Sequence, residues 1–497
     1  MVKGRRKNRR KTPARQAIPR SSPEPNKIRA STPYDFEGRN LTPYGGLLPV
    51  ATMLEKLGFR ELVETVITSS RITRAMKLYE FILGIVLGLY VGFQRLSHMR
   101  FIARDPMLTG ILGVEELPPQ STLWRFLAGL HLNVPGQILK IQQAFRQRVW
   151  EAANVKLETV TLDTDTTVHT VYGKQMGARK GYNPKNKGKL SYQPILTFMA
   201  ETREYICGDL HSGDRHSGKE IAAHIRKMVE SLPAGVKKIF ARVDSGFYCW
   251  EAVEAYEKYL CQFIACARKT DRLVEQLRKA EWKPSKGTDA DEECEFVYQP
   301  EGWAKAFRFV ALRYDKAARE AEKKQQKGKK GRKAAANEVE QYQLFDTAPY
   351  EYRVFVTNMT GAISMLVWFY RQRATAENLI KEANNDAGLK AHPSGRFDMN
   401  RIHFQLAMVA YNLNCWLMLF NREPVADAAE LEHTTLAIAR LRFLFIAAKI
   451  WSHAGRTGIH YSDQCQEQGL FERLMIRLRA IAAQGSAFGA VMHPALR

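Results

Sequence analysis

The chain has 497 residues, 45% of them hydrophobic and 25% charged, so it can bury more than one core, and global disorder is excluded. Its net charge of +24 points to anionic partners, either nucleic acid or an anionic membrane surface. The most apolar stretch, Phe81 to Phe93, contains three glycines and falls short of the ~20 apolar residues that a spanning helix needs, which argues against a membrane protein. Seven scattered cysteines form no disulfide framework and match no zinc pattern, so free thiols in a reducing cytoplasm are expected. The charged N-terminus has no apolar stretch behind it, unlike a secretory signal.

In chain order, residues 1–40 form a basic tail with Arg5-Arg6-Lys7 and Arg9-Arg10-Lys11, expected to be disordered when free. It either solubilises the chain or contacts phosphates. Residues 41–150 read as helical, over Leu47 to Leu57, Glu61 to Ile67, Met76 to Phe93 and Ser121 to Leu132. In the last of these Ser121 or Thr122 is a candidate cap, and Leu123, Phe126 and Leu127 share a buried face. Such a region suits a helical DNA-binding module or a plain scaffold. Residues 151–270 switch to strands at Val160 to Asp165, Tyr192 to Ala200 and Glu204 to Leu210. A helix from Ser217 to Leu232, a strand from Val236 to Val243, a helix from Tyr248 to Tyr259 and a strand from Gln262 to Ala267 follow. This order predicts a mixed α/β sheet. Residues 271–360 are an insertion with strands at Phe307 to Tyr314 and Tyr352 to Thr357 around a Lys-rich run, Lys316 to Lys333. Residues 361–425 and 426–497 read as helical, with Leu406 to Phe420 a buried core helix.

Two aspartates stand where buried strands meet polar segments. Asp165 closes Thr161-Leu162-Asp163-Thr164-Asp165-Thr166-Thr167, and Asp244 follows Lys238 to Val243. A strand fixes the backbone of such a residue and leaves its head group at a cleft, although strand-end aspartates also cap helices and form turns. The third acid lies on a helix expected from Val367 to Ala387. There Tyr370, Arg373, Glu377, Lys381 and Asn384 fall within an arc of roughly 80°. Trp368, Phe369, Ala376, Leu379, Ile380, Ala383 and Ala387 occupy the neighbouring, buried arc. A surface ladder of ion pairs has the same spacing. His169, His211, His216 and His224 cluster in sequence but match no metal-ligand spacing.

The order Asp165, Asp244, then Glu377 in Tyr370-x-x-Arg373-x-x-x-Glu377, resembles the DDE transposases of bacterial insertion sequences, especially the group with a Tyr-Arg-Glu-Lys signature. Tyr172-Gly173-Lys174-Gln175, Gly181-Tyr182-Asn183, Arg242 to Phe247 and Tyr352 to Asn358 extend the likeness over about residues 40–455. The Lys usual seven residues after the Glu is Asn384 here, and Lys381 is the candidate substitute. The resemblance implies an RNase H-like mixed-sheet core, residues 151–270 and 361–425, interrupted by the strand-rich insertion and flanked by helical regions. It implies two Mg²⁺ or Mn²⁺ ions on Asp165, Asp244 and Glu377, with Asp163 as a supporting group that holds an Arg or Lys. Tyr370, Arg373 and Lys381 are then DNA contacts. The implied activity is binding of terminal inverted repeats, strand cleavage and strand transfer into target DNA by a homodimer on the bacterial nucleoid. A nuclease without strand transfer, or a domesticated DNA-binding protein, are the alternatives.

Overall fold

A computed structural model describes residues 28–68, 76–215, 218–317, 319, 349–422 and 434–482. Two compact units divide the chain, Met1–Arg39 and Asn40–Arg497. In the first, Thr32 N donates to Arg29 O at 3.0 Å and the rings of Tyr34 and Phe36 meet edge-on. Residues 1–27 of the basic tail, with the disorder expected of them, lie outside the described residues.

The second unit opens on β1 (Leu41–Thr42) and six helices, α1 (Leu47–Lys56), α2 (Phe59–Val66), α3 (Leu78–Val91), α4 (Pro106–Leu112), α5 (Gln120–Ala128) and α6 (Val134–Ala152). Every residue of α3 from Tyr79 to Val91 is buried, so the most apolar stretch of the chain is an internal helix. Among the described residues, no helix is long and apolar enough to cross a membrane. In α5 the apolar face is as the spacing predicts, but neither expected cap is one: the helix begins at Gln120 behind Pro119, with no side-chain cap bond.

Next come β2 (Thr159–Thr166), β3 (His169–Thr170), β4 (Arg179–Lys180), β5 (Leu190–Tyr192), β6 (Ile195–Met199), β7 (Tyr205–Asp209), α7 (Gly218–Glu230), β8 (Lys238–Val243), α8 (Trp250–Lys258) and β9 (Gln262–Cys266). The run expected as one strand, Tyr192 to Ala200, is broken. Pro194 has no N–H for a ladder, and β5 leaves the main sheet to pair with β3 and β4. The insertion supplies α9 (Asp271–Lys279), β10 (Lys283–Pro284), β11 (Glu292–Tyr298), β12 (Phe307–Asp315) and β13 (Tyr350–Thr357). Of its Lys-rich run, only Lys316, Ala317 and Arg319 are described.

One nine-stranded sheet takes these strands in the order β10-β11-β12-β13-β9-β8-β2-β6-β7. Strands β2, β8 and β9 run parallel, whereas β6 and β7 on one side and β13 to β10 on the other are antiparallel to their neighbours. The insertion is therefore a lateral extension of the central sheet through β13 and β9.

Helices α10 (Ile363–Arg371), α11 (Ala374–Asn385) and α12 (Phe397–Phe420) follow. Helix α12 is the expected core helix: from Ile402 to Phe420 each residue is buried, and it packs on α3, α6 and β7. The N-terminal helices and the sheet thus share a core. Its polar centre is the ion pair of Arg146 on α6 with Glu204 before β7, at 3.0 Å, with both side chains fully buried. Arg146 also donates to Ser231 O at 2.9 Å and Tyr205 O at 2.7 Å. Glu204 accepts the indole N–H of Trp150 at 2.9 Å and that of Trp416 at 2.7 Å.

The C-terminal region, expected to be helical throughout, is not. Strands β14 (Ala448–His453) and β15 (Arg456–Tyr461) form a hairpin that also pairs with β1, and α13 (Gln468–Ala480) follows. The hairpin turns at Ala454 and Gly455, both with positive φ, the conformation that matches strand twist in a two-residue turn.

Candidate active site

Helices α10 and α11 correct the expected single helix of Val367 to Ala387. The chain turns tightly at Gln372 and Arg373, where Arg373 N donates to Tyr370 O at 3.0 Å. This bend reorients the polar stripe. Tyr370 turns inward, its ring 4.6 Å from that of Phe355, and burial raises its phenol well above the ordinary range. Trp368, expected inside, is 62% exposed. Asn384 is buried, and its Oδ1 lies 2.7 Å from His169 Nε2. Lys381 is exposed on α11, whereas Ala376, Leu379, Ile380, Ala383 and Ala387 are buried as their spacing predicts.

Asp163 and Asp165 lie two apart on β2 and so share a face. Asp163 pairs with Arg242, its in-register neighbour on β8, through bonds of 2.6 and 2.7 Å. Arg242 also donates to Phe369 O at 3.0 Å, tying β8 to α10. Asp165, near the end of β2, accepts from Thr166 N at 2.8 Å. Asp244 leaves β8 and accepts from Gly246 N at 2.9 Å in the 3-10 turn Ser245–Phe247.

Arg373 stands among the three acids. Its Nη1 is 3.1 Å from Asp165 Oδ2 and 4.0 Å from Glu377 Oε1, and its Nη2 is 3.9 Å from Asp244 Oδ2. The Arg373 side chain is 10% exposed and that of Glu377 71%, so the cluster runs from the core to solvent. Three carboxylates face one guanidinium. Burial pushes the Asp165 carboxyl up to about 7, and the charges of Asp244 and Glu377 act in the same direction against the pull of Arg373.

Among the described residues, no three His, Cys, Asp or Glu side chains converge closely enough to grip one metal ion. The donor set nevertheless suits a hard divalent cation: all three groups are carboxylates, and their charge exceeds that of the guanidinium at their centre.

The histidines have other partners. His169 Nδ1 lies 3.2 Å from His392 Nε2, and His224 Nε2 lies 2.7 Å from Thr197 Oγ1. Burial pushes both His169 and His224 down to about 3, so they are neutral. His211 lies 3.1 Å from Glu220, and His216 is outside the described residues. Sequence reasoning left open which Arg or Lys Asp163 holds, although Arg242, inside the apolar run Ile239 to Val243, signals a buried acid partner. It also missed the bond of His169 to Asn384, which links the segment after Asp165 to the helix of Glu377; no spacing announces it.

Fold and site define an α/β enzyme with acids gathered from two neighbouring parallel strands and a covering helix. The model of the transposase DDE domain, group 1, matches residues 25–483, and the chain belongs to that family: it is a DDE-type transposase. Among solved structures it is similar to the piggyBac transposase in a synaptic complex with hairpin DNA, at 10% identity, with 86% of this chain and 89% of that chain covered and a TM-score of 0.41. No curated protein matches the chain.

Proposed function

We propose that this transposase binds the terminal inverted repeats of a bacterial insertion sequence of the Tyr-Arg-Glu-Lys group, cuts the DNA strands there and joins them to target DNA. The observation that carries this reading is the meeting of Asp165, Asp244 and Glu377, from three separate elements, around the single guanidinium of Arg373. The central strand order β7-β6-β2-β8-β9, with both aspartates on adjacent parallel strands, supports an RNase H-like core over residues 151–270 and 361–425. Residues 41–150 are the proposed DNA-binding region, and residues 426–497 a C-terminal region whose described part, residues 434–482, mixes helix and hairpin.

Asp165, Asp244 and Glu377 would hold two Mg²⁺ or Mn²⁺ ions, which when bound activate a water or 3′-hydroxyl and stabilise the leaving oxygen. The chain's own part is to orient these groups. Asp163 and Arg242 lock β2 to β8 and, through Phe369 O, hold α10 in place. Arg373 offsets part of the acids' charge before DNA arrives and is then positioned to bind a phosphate, with exposed Lys381 on α11 beyond it. Tyr370 supports Arg373 from beneath, its ring 6.0 Å away. Pairing of two ends calls for a homodimer.

The test uses pre-cleaved ends and a target plasmid. Joined products are expected from the wild-type protein, and cleavage without joining would indicate a nuclease instead. Glu377→Gln should lower cleavage by about a thousandfold or more while end binding persists. Full cleavage by this variant in Mg²⁺ would remove Glu377 from the site.

A further inference from the structure

Between β2, which carries Asp165, and β6 the chain makes an excursion, residues 167–193, that folds into the small sheet β3-β5-β4. This flap contains Lys174, Arg179, Lys180, Lys185, Lys187 and Lys189 and no acid. All six cations are exposed, and none is paired with a carboxylate among the described residues. Among them stand two tyrosines with free rings, Tyr172 at 77% and Tyr182 at 70% exposure.

The backbone of the flap is held firmly. Tyr192 Oη donates to Met176 O at 2.6 Å, Met176 N to Gly395 O at 2.9 Å, and Gly213 N to Ser191 O at 3.0 Å. Asn183 is buried; its Nδ2 donates to Thr170 Oγ1 at 3.0 Å and its Oδ1 accepts from Asn186 N at 3.1 Å. A Cβ on Gly181 would lie 1.7 Å from Gly213 O, so the loop packs backbone to backbone on its support. Leucine or valine would hide in such a platform. Instead its held backbone carries exposed aromatic rings and positive charges.

Cations that follow a backbone, with rings on which bases stack, are the chemistry of a single-strand binder; in a duplex the bases are already stacked and offer no face. The flap departs and returns beside Asp165, where Thr167 N donates to Pro194 O at 3.1 Å. We propose that the flap holds unpaired nucleotides of a DNA end, with Tyr172 and Tyr182 stacked on bases and the six cations on phosphates. This rests on the reading of the acid cluster as a DNA-cutting site.

The test is equilibrium binding by the full chain, without divalent metal, to a blunt duplex and to the same duplex with a six-nucleotide single-stranded extension. The wild-type protein should prefer the extended DNA. Tyr172→Leu and Tyr182→Leu should each reduce that preference by about five- to 150-fold, as expected for loss of one stacked base, and leave blunt-end affinity within about twofold. Lys185→Gln, Lys187→Gln and Lys189→Gln together should flatten the salt dependence on extended DNA by about two in log–log slope. Thermal midpoints equal to wild type establish that the variants fold; if a tyrosine variant does not, the lysine variants carry the test. An unchanged preference in folded tyrosine variants, or tighter binding of single-stranded RNA than of the same DNA, overturns the inference and leaves the cutting reading intact. Failure of the wild-type protein to bind either DNA overturns both.

Discussion

Replacing Glu204 with Gln keeps the shape of the side chain and removes the charge that balances Arg146. Both partners are fully buried, so no water can take over. A glutamine oxygen can accept from only part of the set that Glu204 serves, namely Arg146 Nε and the indoles of Trp150 and Trp416. One donor loses its acceptor, and a guanidinium is left buried without a counter-charge, at a cost of about 3–5 kcal/mol. With an unfolding entropy near 2.1 cal/mol/K per residue over a unit of roughly 450 residues, Tm should fall by about 3–5 °C. Scanning calorimetry at pH 7 measures the shift, and a urea midpoint checks it. Arg146→Met should cost a similar amount. The double variant Arg146→Met/Glu204→Gln should cost clearly less than the two single changes added, because it leaves no buried charge without a counter-charge. A Glu204→Gln shift below about 1 °C, or strict additivity in the double variant, would refute the assignment of this pair as a charge-compensated keystone.

Asp165→Asn should lose cleavage in both Mg²⁺ and Mn²⁺ without loss of stability, because it removes a carboxylate whose ionisation burial already opposes. Asp163→Asn should retain some turnover in Mn²⁺ yet destabilise the protein by about 3–5 kcal/mol, since Arg242 loses its partner; the opposite order of activities would make Asp163 the ligand. Asn384→Lys, which restores the residue usual in the signature, should destabilise by about 2 kcal/mol or more, because it places an ammonium against neutral, buried His169. A urea midpoint equal to wild type would contradict this. Deletion of residues 1–30, with eleven Lys and Arg against Glu24 alone, should weaken DNA binding and flatten its salt dependence. An unchanged slope would make the tail a solubiliser.

What could be read from the sequence was set by local burial. Val160 to Asp165 announces itself as a strand because apolar and polar residues alternate along it, and Val236 to Val243 because Ile239, Phe240, Ala241 and Val243 make it largely apolar; Asp165 and Asp244 stand where each run turns polar. Leu406 to Phe420 is legible as a core helix because it has no polar face. What escaped was nonlocal. No glycine or proline marks the break at Gln372 and Arg373; it is the geometry that lets Arg373 reach Asp165, a contact between residues 208 positions apart. The membership of β13 in the central sheet depends on pairing with β9 across the whole insertion, which periodicity cannot encode. The hairpin of β14 and β15 carried a faint local signal in Ala454-Gly455, masked by the helical pattern on either side.

The closing of the insertion on itself has a practical consequence. Asp315 and Tyr350 face each other across β12 and β13, and Lys316 N donates to Pro349 O at 3.0 Å. The chain that departs at residue 316 therefore returns to its point of departure at residue 349, where the ladder itself holds the two ends together. For a flexible graft at this point, each doubling of its length costs only about 0.6 kcal/mol of closure entropy. The position is thus a natural splice point, where a fluorescent label, an affinity tag or a foreign DNA-recognition module can be grafted while the acids on β2 and β8 keep their places.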